Sequence, residues 1–317
     1  MLDKIYDTVI IGCGPAGLSA AIYAARAGLS TAVFGVISKS NVYKAHLIEN
    51  YFGFNAPVTG QFLVEEGKKQ ASRFGAAFVE SDIVDVKHHD DGTFTVTDTD
   101  RLEYHTKTII ICSGLGFKPS GIKNEQPLIG KGISFCVTCD GFFFKKKKCA
   151  VVGNGNFAGD EALQLLTYTP HVTILSHGKD FSFAPKILEG LQKNNVTMVK
   201  TPRIKEFKGA AGAAAAKFEK IIYADGSEET FDGVFMALGN ATAADFANKL
   251  GILRTGPQNA YIVADQHTGT TNIKGIYAAG DCTGGNAQAA KSAGEGCNAA
   301  ISVIKLIKGV AAYVDYD

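Results

Sequence analysis

Near its beginning the chain reads Tyr6-Asp-Thr-Val-Ile-Ile-Gly-Cys-Gly-Pro-Ala-Gly17, a short apolar run that leads straight into Gly12, Gly14 and Gly17. No other feature limits the fold as much. The Ala-rich stretch Leu18 to Ala27 reads as a helix, Gly28 ends it, and Thr31 to Phe34 reads as a second strand. In such a strand, loop, helix, strand unit the first glycine makes the tight turn and the second lets backbone approach a pyrophosphate. The third lets helix meet strand, and the helix N-terminus favours phosphate charge. The pattern returns at Cys149-Ala-Val-Val-Gly-Asn-Gly-Asn-Phe-Ala158, with a helix expected over Gly159 to Leu166 and a strand over Val172 to Leu175. Two more apolar runs, Thr108 to Gly114 and Gly275-Ile-Tyr-Ala-Ala-Gly-Asp281, end on glycine, where a bound cofactor crosses a sheet edge. The expectation is an α/β protein with two nucleotide-type domains. Its 317 residues suffice for both, since single cores stop growing near about 250 to 300 residues.

With 32 basic and 31 acidic residues, no global field points to nucleic acid or a membrane surface. No stretch nears the roughly 18 apolar residues of a membrane span. Asp3, Lys4 and Asp7 flank the first apolar run, which reads as a strand rather than a signal peptide. The expected location is cytoplasmic. Seven cysteines at irregular spacing do not make a secreted disulfide framework. Two of them, Cys136 and Cys139, stand three positions apart with Asp140 directly behind. A closed zinc site wants four thiolates or imidazoles, and no second close pair follows, so no metal is expected. Cys149 sits in the apolar run CAVV, as a buried strand residue would. From the residues alone, the pair is a redox couple or two inert buried thiols.

The order of Gly12-x-Gly-x-x-Gly17, Cys136-Val-Thr-Cys-Asp140, Gly153-x-Gly-x-x-Ala158 and Ala279-Gly-Asp281, followed by Gln288-Ala289 and Gly294-Glu-Gly296, resembles the low-molecular-weight thioredoxin reductases over nearly the whole chain. The resemblance implies two Rossmann-like, three-layer ββα domains. A discontinuous one, residues 1–117 and 245–317, would bind FAD, and residues 118–244 would form a central NADPH-type domain carrying the Cys pair. Gly116 to Gly121 and Gly239 to Ala243 would be its two-strand hinge. FAD contacts are implied for Gly12, Gly14, Pro15, Ala16, Gly17, Asn50, Gly114, Gly280, Asp281, Gln288 and Ala289. Cys136 and Cys139 become a redox disulfide, Cys139 facing the flavin and Cys136 attacking the disulfide of a thioredoxin-type partner. Asp140 becomes the acid or base that serves the leaving thiolate; its alternative role is to cap the helix or turn that follows. A homodimer is implied as well.

The chain departs from the family at the donor site. NADPH-using members carry His-Arg-Arg, with another Arg four positions on, after the strand that follows the second glycine loop. Those arginines would form bidentate pairs with the 2′-phosphate. Here the segment reads Val172-Thr-Ile-Leu-Ser-His-Gly-Lys-Asp-Phe-Ser182, without arginine and without the acid that NAD would want at Ser176. His177 and Lys179 remain as a weak phosphate grip or as solvated loop residues. Phe157, in the loop, either obstructs or stacks on a nucleotide or packs its helix. Family members that lack the arginines take electrons from ferredoxin or hold a second flavin in the vacant site, and this chain resembles those. Lys145 to Lys148 could dock an acidic ferredoxin or form a solvated turn. The tail tyrosines, Tyr313 and Tyr316, could cover the flavin, although a disordered end is the default expectation for such a tail. The readings that compete are an NADPH enzyme with an atypical phosphate site, a diflavin oxidoreductase, and a flavin-bearing redox sensor that is not an enzyme.

Overall fold

The computed structural model describes residues 4–114, 120–135, 137–209, 217–239, 242–256 and 259–314. The chain divides into two compact units: Met1–Asp98, Leu102–Phe117 and Thr242–Asp317 in the first, Thr99–Arg101 and Lys118–Ala241 in the second. Cys136, most of the Gly116 to Gly121 connector, Asn240, Ala241 and Tyr316 lie outside the described residues.

The first unit is built on a parallel sheet in the order Ile276–Ala278, Ile109–Ile111, Thr8–Ile11, Thr31–Phe34, Ala77–Val79. Its strands are continuous apolar runs because both faces are covered. On one face Ile10, Val33 and Ile110 meet the helices Pro15–Arg26 and Ala289–Lys308. On the other lies a four-stranded sheet, Ile5–Tyr6, Glu103–Thr106, Phe94–Asp98 and Ile83–His88, with Tyr104 edge-on to Phe34 at 4.8 Å. The two helices pack closely because their facing residues are small: a Cβ on Gly296 would lie 2.0 Å from the Ala16 carbonyl oxygen. The first helix starts at Pro15, three residues before the apolar pattern suggested, since proline at the first helical position has no N–H to leave unpaired.

The second unit repeats the plan with the parallel order Thr197–Val199, Val172–Leu175, Cys149–Val152, Gly233–Met236, Ile133–Ser134. Alternation along one strand divides its core. Cys149 and Val151 point to the helices Asn156–Leu165 and Pro185–Lys193, while Ala150 and Val152 point to the antiparallel meander Ile204–Gly209, Phe218–Tyr223, Glu228–Thr230. Both units are Rossmann-like layers of helix, parallel sheet and second sheet. No helix among the described residues is long and apolar enough to cross a membrane.

Candidate active site

In the first unit the strands Thr8–Ile11, Ile109–Ile111 and Ile276–Ala278 are neighbours, so the residues beyond their ends share one sheet edge. Gly12, Gly114, Gly280 and Asp281 arrive there together. The three loop glycines have different reasons to be glycine. Gly12 has φ +110° and a Cβ would stand 2.3 Å from the Cys112 carbonyl oxygen; a Cβ on Gly17 would stand 1.9 Å from the oxygen of Gly12. Both are closed by the protein itself. Gly14 is not: a Cβ there would meet only Ser40 Oγ, at 3.9 Å. It borders open space at the N-terminus of the Pro15–Arg26 helix, whose first turn carries no acidic residue and no side-chain cap. That is an anion cradle, and it fits a pyrophosphate.

Around this edge Asp281 accepts a hydrogen bond from Ser292 Oγ at 3.2 Å, and Asn50 Nδ2 donates to Gln288 Oε1 at 3.2 Å. Gln288 stands at the N-cap position of the Ala289–Lys308 helix, without a side-chain capping bond, and Ala289 is the helix's first residue. Two residues that the sequence reading passed over hold the Gly280 turn. Glu295 Oε2 accepts the Gly280 N–H at 2.8 Å, and Lys291 Nζ donates to the Gly284 carbonyl at 2.6 Å and pairs with Glu295 at 3.0 Å. Tyr313 packs on the helix core of this unit with Lys308 5.5 Å from its ring centroid. It follows the C-terminal end of the 20-residue helix Ala289–Lys308.

In the second unit the strand Ile133–Ser134 leads to a one-turn helix, Val137–Asp140, and then a 3-10 turn, Gly141–Phe144. Cys139 lies in that helix. Asp140 makes no side-chain capping bond to the turn that follows, so the capping alternative fails. Its Oδ2 instead accepts the Ser134 hydroxyl at 2.6 Å, a bond from strand to helix. Glycine is required next, because a Cβ on Gly141 would lie 2.5 Å from the Tyr168 ring. Asp140 and Ser134 line a cavity of about 380 Å³ together with Lys131, Phe143, Lys147 and Lys217. Phe142 beside it is 60% exposed, and Phe143, though it lines the cavity, is 67% exposed. The lysine run is not simply solvated. Lys145 lies 4.0 Å from the centroid of Phe142, Lys148 lies 4.4 Å from that of Phe231 and pairs with Glu229, and Lys147 donates to the Phe143 carbonyl.

The second glycine loop is engaged by its own chain. Ser182 bridges Gly155, Ser182 N–H donates to the Asn154 carbonyl at 2.8 Å, and Asn154 Nδ2 donates to the carbonyl of Asp180 at 2.9 Å. Phe157 is buried among Val151, Ile174 and Leu165, so the packing reading holds and the loop-tip reading is corrected. His177 is corrected too. It is 8% exposed, its φ is +53°, and its Nδ1 accepts the Ile204 N–H at 3.0 Å. Burial first, then Arg203 and Lys179, hold its pKa below the ordinary histidine value. It is a neutral wedge under the loop, neither a phosphate grip nor a solvated residue. Ser176, 1% exposed, accepts the Thr201 N–H at 3.1 Å and is closed in the same way.

Four other cysteines, Cys13, Cys112, Cys149 and Cys282, are buried free thiols, and burial pushes Cys13 up to about 11 and Cys149 and Cys282 up to about 12. They are held as inert thiols. No group of three or more ligand side chains among the described residues could hold a metal ion.

Residues 6–296 match the family model described as pyridine nucleotide-disulphide oxidoreductase. A thioredoxin reductase of Rickettsia bellii (strain RML369-C) is 38% identical over 307 residues, 94% of this chain and 97% of that protein. The chain belongs to the thioredoxin reductase family. Among solved structures, the atypical thioredoxin reductase TRi from Desulfovibrio vulgaris Hildenborough is 42% identical with a TM-score of 0.88, covering 97% of this chain and 100% of that one. A ferredoxin-flavin thioredoxin reductase from Clostridium acetobutylicum is 29% identical with a TM-score of 0.69, over 96% and 98% of the two chains. Membership makes the protein a flavin-dependent disulfide oxidoreductase with FAD as its cofactor. The open face of Gly14 is the feature of the first unit that fits this cofactor.

Proposed function

We propose that the protein reduces the disulfide of a thioredoxin-type partner through Cys136 and Cys139, drawing electrons from a ferredoxin-class donor rather than from a nicotinamide. One observation carries the donor assignment: where the strand Val172–Leu175 ends, Ser176 and His177 are buried, and Ser176 Oγ and His177 Nδ1 accept the N–H groups of Thr201 and Ile204 rather than facing a ribose or a 2′-phosphate. The likeness to the ferredoxin-flavin enzyme of Clostridium acetobutylicum points the same way.

In this reading the first unit's sheet edge would hold FAD: the Gly12 to Gly17 loop and the Pro15–Arg26 helix would receive its pyrophosphate, and Asn50, Gly114, Gly280, Asp281, Gln288 and Ala289 would border the rest. The bound flavin supplies two electrons to the disulfide. Cys139 is the sulfur that receives them and Cys136 the one that meets the partner. Cys136 thiolate attacks the partner disulfide, one partner sulfur leaves as thiolate, and Cys139 then displaces the second, so that a dithiol and a disulfide change places. Asp140, oriented by Ser134, is the acid or base that serves the leaving thiolate. Exposed Phe142 and Phe143 offer the partner apolar contact, and Lys145 and Lys146 offer an acidic protein opposite charge. The unpaired thiols suit a reducing cytoplasm, and the working form is a homodimer.

Under argon, with a thioredoxin and one donor at a time, partner thiols should appear with reduced ferredoxin at least a hundredfold faster than with NADPH or NADH. Equal or faster turnover with NADPH defeats the donor assignment; no partner thiols with any donor defeats the substrate assignment.

A further inference from the structure

A buried carboxylate behind the redox segment has no part in the chemistry so far. Glu161, in the helix Asn156–Leu165, is 2% exposed, and its Oε2 accepts the backbone N–H of Val137 at 3.1 Å. Val137 is the residue after Cys136 and is itself fully buried. The peptide that joins the two cysteines is thus pinned from one side by Glu161, while Asp140, at the end of the same short helix, is pinned from the other by Ser134. Helix packing alone would be met by an apolar side chain, as at neighbouring Ala162 and Leu165, both fully buried. A carboxyl group is costly in that surrounding unless it is hydrogen-bonded.

We infer that Glu161 is a positioning residue for the redox pair: by accepting the Val137 N–H, its carboxyl group fixes the peptide between the two cysteines and with it the potential of the couple. The inference rests on Cys136 and Cys139 being the redox couple. Reduction of that disulfide takes two electrons and two protons. A disulfide demands a narrower backbone geometry than two thiols, so a peptide held fixed favours one of the two states and sets the balance between them.

Glu161→Leu removes the acceptor oxygen at nearly the same volume, and Glu161→Gln keeps one. In the FAD-loaded protein, equilibration with dithiothreitol buffers followed by alkylation and mass analysis at Cys136 and Cys139 reads the couple. Glu161→Leu should shift the equilibrium about tenfold, about 30 mV, and Glu161→Gln should stay within about threefold of the unaltered protein. A shift under threefold in Glu161→Leu, or equal shifts in both variants, overturns the inference. If the variant does not fold, amide exchange in the unaltered protein decides: Val137 should exchange at least a hundredfold more slowly than an open amide, and free exchange overturns the role. Absence of any Cys136/Cys139 couple in the unaltered protein would instead mean that the redox assignment itself is wrong.

Discussion

Replacing Gly14 by valine separates a glycine kept for a ligand from one kept for the protein. Gly14 has φ −82° and ψ −172°, an extended conformation open to any residue, and its Cβ would meet nothing closer than Ser40 Oγ at 3.9 Å. Gly14→Val therefore leaves the apoprotein's stability within about 1 kcal/mol, the usual range for a change that breaks no buried contact. A pyrophosphate oxygen needs about 2.7–3.2 Å to hydrogen-bond the loop amides, whereas carbon holds a neighbour at about 3.5–4.0 Å. The branched side chain thus pushes the phosphates off the helix N-terminus. Loss of two charge-assisted bonds at about 1.5–3 kcal/mol each removes about 3–6 kcal/mol, or more than a hundredfold in FAD affinity. The contrast is Gly17→Ala, whose new Cβ would stand 1.9 Å from the Gly12 oxygen and should destabilise even the apoprotein. Flavin content after gel filtration and urea unfolding of both apoproteins read the two effects. Full flavin occupancy in Gly14→Val refutes the reasoning, as does an apoprotein weakened as much as Gly17→Ala.

Phe157, 3% exposed in the helix-side core, should cost about 3–5 kcal/mol of the second unit's stability when cut to alanine. Urea unfolding checks this, and a stable Phe157→Ala protein newly reduced by NADPH would return the ring to the nucleotide site. His177 is held neutral with a lowered pKa, so the unfolded chain binds its proton first. Its contribution is whole above about pH 6.5 and is lost as pH falls through the lower folded value; His177→Asn, which keeps an acceptor and tolerates φ +53°, should flatten the loss of unfolding free energy between pH 7 and 5. In Cys139→Ser, Cys136 should form a stable mixed disulfide with a thioredoxin that lacks its resolving cysteine. Cys136→Ser should instead give a long-wavelength thiolate-to-flavin absorbance band, and the reverse pattern on gels and spectra would exchange the two roles.

Much of this fold is written locally. The two strand, glycine, helix, strand units can be read from spacing because turn sterics and helix contact dictate where glycine must stand, as Gly12 and Gly17 illustrate. What escaped was set by contacts distant in sequence. Nothing around His177 announces that Ile204, 27 residues on, will donate to its ring and take it out of solvent. Phe157 sits in a loop motif, but a helix beginning at Asn156 turns it inward to Ile174 and Leu165. Asp140 matches a cap by position, yet the strand residue Ser134 claims its carboxylate. Glu161 and Glu295 carry no motif of their own; only the folded chain brings them to Val137 and Gly280. A charged residue at a buried position of a glycine-loop helix was the one signal available for Glu161.

The donor assignment is tested most directly by mixing the oxidised, FAD-loaded protein anaerobically with each donor in a stopped-flow instrument and following the loss of flavin absorbance in a single turnover. Reduced ferredoxin should bleach the flavin within seconds, and millimolar NADPH or NADH should leave it oxidised over minutes, because Ser176 Oγ and His177 Nδ1 are committed to Thr201 and Ile204 and the segment Val172 to Ser182 carries no arginine to pair with a phosphate. Rapid bleaching by micromolar NADPH would contradict the account.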